Sequence, residues 1–115
     1  MGFTCSTRQA ERRLVASVAG DLDLAAHPRF QAQAEAWARQ GTDVVLECSE
    51  VTFMDSMGLR VLVELRQAVL DAGHSFALAA PSKPVVRVLA LAVATDLFEL
   101  TEVEPSGRAQ EDPAA

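Results

Sequence analysis

Val51-Thr52-Phe53-Met54-Asp55-Ser56-Met57-Gly58-Leu59 is the stretch on which the fold turns. An extended apolar segment gives way there to a helix, and a serine hydroxyl stands at the junction. A serine in that place can cap the helix. It can also carry a phosphate, because first-turn N–H groups and the positive end of the helix dipole suit an anion. Ser56 to about Ala72 has helical spacing, with Val61, Leu62, Leu65, Ala68, Val69 and Ala72 as the core stripe and Gly73 as the stop. Met57, Arg60, Glu64, Gln67 and Asp71 recur on a second face that is polar except for Met57. Met57 is therefore either a partner contact or a partly covered surface methionine. Gly58, in the first turn, costs about 1 kcal/mol relative to alanine. Its presence calls for close backbone approach, either by a partner gripping the junction or by the helix start packing on the sheet.

Upstream, Met1 to Arg8 and Leu14 to Gly20 alternate like two strands of a hairpin, joined by a polar turn at Gln9 to Arg13. Gly20-Asp21-Leu22-Asp23 is expected to break the second strand. Pro28 then sits where a helix can start, Phe30, Ala34, Trp37 and Ala38 follow at helical spacing, and Gly41 ends it. Asp43 to Glu47 holds Val44-Val45-Leu46, apolar and β-branched enough for a buried strand. Ser75 to Ala80 reads as another strand, Pro84 to Val93 as a helix entered through Pro81-Ser82-Lys83-Pro84, and Phe98 to Val103 as a last short strand. From Glu104 onward Pro, Gly, Ser, Ala and charge predominate, which predicts a disordered tail over 104–115.

The 115 residues, half of them hydrophobic, suffice for one domain with a core and not for two. Ten basic residues against 16 acidic give a net charge of −6, with the basic ones scattered, so nucleic acid is not expected as a partner. Arg12-Arg13, the only basic pair, reads as part of a solvated turn. Cys5 and Cys48 are too few for a disulfide scaffold, and no cysteine and histidine spacing supplies a metal site. Neither a signal peptide nor a membrane span is read from the chain: the longest apolar segment, Val85 to Val93, is interrupted by Arg87. A cytoplasmic protein without cofactor or metal is expected.

Two motifs, Val51 to Leu59 after Val44-Val45-Leu46 and Gly20-Asp21-Leu22-Asp23 after the second strand, resemble the signature of the STAS domains. Within that family the likeness is to the bacterial anti-sigma factor antagonists, and it runs from about residue 3 to residue 103. It implies an α/β single domain over 1–103, with a mixed four- to five-stranded sheet packed with helices. It further implies that Ser56 is the phosphoacceptor of a kinase that doubles as the anti-sigma factor. The unphosphorylated protein would bind that kinase and free the sigma factor; the phosphorylated protein would let go, and a phosphatase would reset it. Asp21, Asp23, Glu50, Asp55, Met57, Gly58 and Arg60 would make up the partner face. Three stretches depart from the family pattern: Glu47-Cys48-Ser49-Glu50, Met57, and Ala92 to Asp96, which lacks a glycine at the helix end.

Other readings are weaker. Asp21, Asp23, Glu47 and Lys83 resemble the acidic cluster and lysine of response-regulator receivers, but Asp23 to Glu47 leaves room for one helix only. A Ser56 hydrolase lacks the Gly-x-Ser-x-Gly elbow and has only His27 and His74 as candidate bases. Asp21 and Asp23 are too close along the chain to attack a sugar from opposite sides. The chain is thus expected not to be an enzyme. The main alternative is a stand-alone STAS module for another partner or small ligand, in which Ser56 is only a helix cap.

Overall fold

The hairpin forms where the alternation places it, but with a tighter turn. The structure, a computed structural model, describes residues 2–101. Strand β1 (Thr4–Ala10) pairs antiparallel with β2 (Arg13–Leu22), and Ala10 opposite Arg13 leaves Glu11-Arg12 as a two-residue turn, with Glu11 at φ 60°. The remaining elements are α1 (His27–Ala38), β3 (Asp43–Met54), α2 (Ser56–Asp71), β4 (Phe76–Ala79), α3 (Lys83–Leu91), a 3-10 turn (Thr95–Leu97) and β5 (Glu99–Thr101). The sheet order is β1-β2-β3-β4-β5, and every pair after the first is parallel. Each parallel step needs a crossover, supplied in turn by α1, α2 and α3 together with the 3-10 turn.

Like β1, which runs to Ala10 rather than Arg8, the next two strands outrun their expected ends. β2 does not break at Gly20 but continues to Leu22. Gly20 has φ +92°, and a Cβ there would stand 2.0 Å from the Gly2 carbonyl oxygen, so glycine lets the N-terminal segment cross the strand. β3 continues past Glu47 to Met54, because it absorbs extra residues against β2. Ser17 and Ala19 face Glu47 and Glu50, while Gly20 and Asp21 face Val51 and Phe53, so each step gives β3 one residue more than β2. These bulges scramble the alternation that marks a strand.

Leu14, Ala16 and Val18 of β2, Val44 and Leu46 of β3, and Phe76 and Leu78 of β4 share one sheet face. They join the buried side chains of all three helices in one core. Phe3 and Phe30 close one end at 5.6 Å between ring centroids, Phe76 and Phe98 the other at 6.2 Å. On α2 the buried residues are Gly58, Val61, Leu62, Leu65 and Val69. Ala68 and Ala72 are exposed, contrary to the stripe read from sequence: Ala68 borders the groove between α1 and α2, and Ala72 lies past the last helical turn.

Helix α3 ends at Leu91, two residues before the expected Val93. Val93 takes φ 52°, its N–H bonds the Ala90 carbonyl at 3.1 Å, and the Ala94 N–H reaches Leu89 at 2.8 Å. That is a Schellman ending with a β-branched residue where glycine is usual. The expected strand end at Val103 and the tail 104–115 lie outside the described residues. Both cysteines are free, Cys5 in β1 and Cys48 in β3. Burial, aided by the neighbouring Glu47 charge, pushes the Cys48 thiol up to about 12, which keeps it protonated. No helix among the described residues is long and apolar enough to cross a membrane.

Candidate functional site

The parallel strands end along one edge of the sheet, and α2 leaves that edge from the end of β3. Extended backbone defines the cap of a helix, and it is Asp55, at φ −115° and ψ −170°, that has it. Its Oδ1 accepts from the Met57 N–H at 3.0 Å and the Gly58 N–H at 3.1 Å. Ser56 is therefore not the cap, as one reading of the sequence had it. It is the first helical residue, exposed, and its hydroxyl makes no hydrogen bond among the described residues. The reading in which Ser56 serves only as a cap loses its premise.

Gly58 answers to packing. It is buried, and a Cβ would meet Met54 Cγ at 2.8 Å and the Leu22 carbonyl oxygen at 2.9 Å. Its missing side chain lets the helix start sit against the ends of β2 and β3, which is the packing reading of this glycine. The Asp55 N–H, 3.4 Å from the Leu22 carbonyl, ties the same two strands.

The structure brings three of the expected carboxylates to these strand ends. Asp21 stands opposite Phe53, and Thr52 Oγ1 donates to its Oδ1 at 2.6 Å, a bond that holds the carboxyl below its ordinary range. Asp23 Oδ1 accepts from the Ala26 N–H at 3.0 Å and shapes the entry to α1. Asp55 caps α2 beside them. Glu50 is exposed opposite Ala19, further back along β3 and on the same side of the sheet as Asp21. Met57 is half-buried, and Arg60 is exposed one turn along α2, its Nε 3.1 Å from Glu64 Oε2.

Sequence reasoning missed Thr52, Phe53 and Leu24. Phe53 is 48% exposed and Leu24 69%, so the edge presents two large apolar side chains among carboxylates. The run of apolar letters at Val51 to Met54 hid Phe53, since only Val51 and Met54 face the core. Thr52 is the extra residue that turns Phe53 outward.

The receiver-like reading and a pairing of Ser56 with His74 find no support in the geometry. The strand order, with an antiparallel β1 at its edge, is not the order 2-1-3-4-5 of a receiver-like sheet. His74 lies beyond the other end of α2, about 24 Å from Ser56 along a 16-residue helix, and pairs with Asp43 at 3.5 Å. Among the described residues no cluster of three or more His, Cys, Asp or Glu could hold a metal ion.

Comparison with known proteins points the same way as the junction. The family model of the STAS domain matches residues 4–107. The anti-sigma-B factor antagonist of Bacillus subtilis (strain 168) is 25% identical over 107 residues, covering 93% of this chain and 98% of that one. An anti-sigma factor antagonist from Mycobacterium paratuberculosis superposes with a TM-score of 0.82 at 21% identity, over 96% of each chain. The Bacillus cell fate determinant SpoIIAA in its phosphorylated form gives 0.67 at 17% identity, over 95% of this chain and 100% of that one. With its sheet order, its Asp55-capped α2 and a family-model match over nearly its full length, the chain belongs to the STAS domain family.

Proposed function

We propose that this protein is a phosphorylation-controlled anti-sigma factor antagonist and not an enzyme. The observation that carries this reading is the exposed Ser56 hydroxyl at the first position of a helix whose capping is done by Asp55. Unphosphorylated, the edge around Ser56 binds an anti-sigma factor that is also a serine kinase, and the sigma factor is freed. Asp21, Asp23, Glu50, Asp55, Met57 and Arg60 form the partner face, joined by Leu24 and Phe53 as apolar contacts. The kinase moves the γ-phosphoryl of ATP to Ser56 Oγ, the hydroxyl proton leaves, and ADP departs. A dianion then stands where the partner had packed against a neutral hydroxyl, and the complex separates. A phosphatase restores the serine, and the cycle runs in the bacterial cytoplasm.

The fold has little reason to respond, because Ser56 points to solvent and supports no other group. Release is therefore local, by charge and by shape. Incubation with ATP and each purified anti-sigma factor kinase of the source organism tests the reading. Ser56 becomes the modified residue, Ser56→Ala blocks modification, and Ser56→Asp weakens the kinase complex roughly a hundredfold. If Ser56 takes no phosphate and Ser56→Asp binds like the unmodified protein, the switch does not exist.

A further inference from the structure

A phosphate on Ser56 finds the obvious donors already taken. The Met57 and Gly58 amides, which an anion at a helix start would use, both donate to Asp55 Oδ1. The Asp55 carboxylate, adjacent in the chain and bound to those amides, adds like charge. Arg29 is committed elsewhere: its Nη2 lies 3.1 Å from the Phe3 carbonyl oxygen and its guanidinium 5.0 Å over the Phe3 ring.

Resting on the reading of Ser56 as a phosphoacceptor, we propose that its phosphate is held by Arg60 of the same chain, which exchanges Glu64 for it. Arg60 is the first cation on α2 and lies four residues after Ser56, so the two share a helix face. Helical side chains lean toward the N-terminus, which carries the guanidinium back over Ser56. Both residues are exposed and free to meet. The present Arg60–Glu64 pair, 3.1 Å apart, has its cation before its anion, the weaker order along a helix. Phosphoserine before arginine is the stronger order, at the end where the dipole favours negative charge. It also offers nearly two charges and several oxygens to the planar fork of one guanidinium. The exchange is downhill on each count.

Phosphorylation then changes the partner face twice: it adds an anion at Ser56 and withdraws the positive charge of Arg60 from the partner. Glu64 is left without its cation.

The test uses the full chain with phosphoserine installed at position 56 during translation, which needs no kinase. Titration of the phosphate by phosphorus NMR at low salt, in the parent and in Arg60→Gln and Arg60→Lys, reads the contact directly. Arg60→Gln raises the second ionisation of the phosphate by about 0.2–0.4 of a pH unit, and Arg60→Lys restores part of the difference. Coincident titration curves for the parent and Arg60→Gln overturn the proposal. If instead no kinase modifies Ser56 in the serine form, the switch reading fails, while the Arg60 contact is still decided by this titration.

Discussion

The junctions β3 to α2 and β4 to α3 leave the same edge of the sheet, and each has a serine near its helix start, yet they treat it oppositely. At α2 the cap is Asp55 and Ser56 follows, exposed and unbonded among the described residues. At α3 the serine is itself the cap: Ser82 has φ −70° and ψ 167°, and its hydroxyl makes no capping bond. Its Oγ is buried without a hydrogen-bond partner among the described residues, while its backbone N–H lies 3.3 Å from the Cys48 carbonyl. Pro84 follows two residues later and brings no N–H to be capped. A serine at the cap position is drawn into the fold. One residue further on, with a carboxylate doing the capping, it is offered to solvent.

The largest effect that would sharpen this contrast is on binding. Ser56→Asp costs the kinase complex roughly a hundredfold in affinity while the melting temperature stays near that of the parent, read by titration calorimetry and thermal unfolding. Next is Gly58→Ala, whose Cβ has backbone on one side and the Met54 side chain on the other. Overpacking of that kind costs about 1–3 kcal/mol in urea unfolding. Asp55→Ala follows, removing both capping bonds for a loss of about 1–2 kcal/mol, and Asp55→Asn recovers most of it. An Asp55→Ala protein as stable as the parent would break the comparison, because Ser56 would then be capping the helix.

Sequence could place Ser56 at a helix start but could not choose between it and Asp55 as the cap, since both residue types cap well and they are adjacent. The choice lies in the backbone angles of residue 55, which depend on how Leu22 and Met54 meet α2. The order of strands and helices was legible from Val44-Val45-Leu46, from Pro28 and from the stripe on α2, where periodicity is local. The length of β3 was not, because its extra residues against β2 put Ser49, Glu50, Thr52 and Phe53 outside and leave no alternation to read. The end of α3 was illegible for a related reason. Val93 holds a left-handed conformation costing about 1–2 kcal/mol, and the helix-closing bonds to Ala90 and Leu89 that accompany it are not signalled by a β-branched residue.

Ser82→Ala is the smallest effect and the one that bears most directly on the contrast. A buried hydroxyl with no protein partner among the described residues contributes no bond to the fold, so deleting it removes a desolvation cost rather than a bond. The cavity left is that of one oxygen at the edge of the core. The expected result in urea unfolding is no loss of stability, or a gain of up to about 1 kcal/mol, against the loss at Asp55→Ala. A loss as large as that at Asp55 would mean that Ser82 caps α3 in solution. In that case a serine at the cap would serve the helix as an aspartate does, and the one-residue offset at α2 would no longer explain why Ser56 is the serine left free.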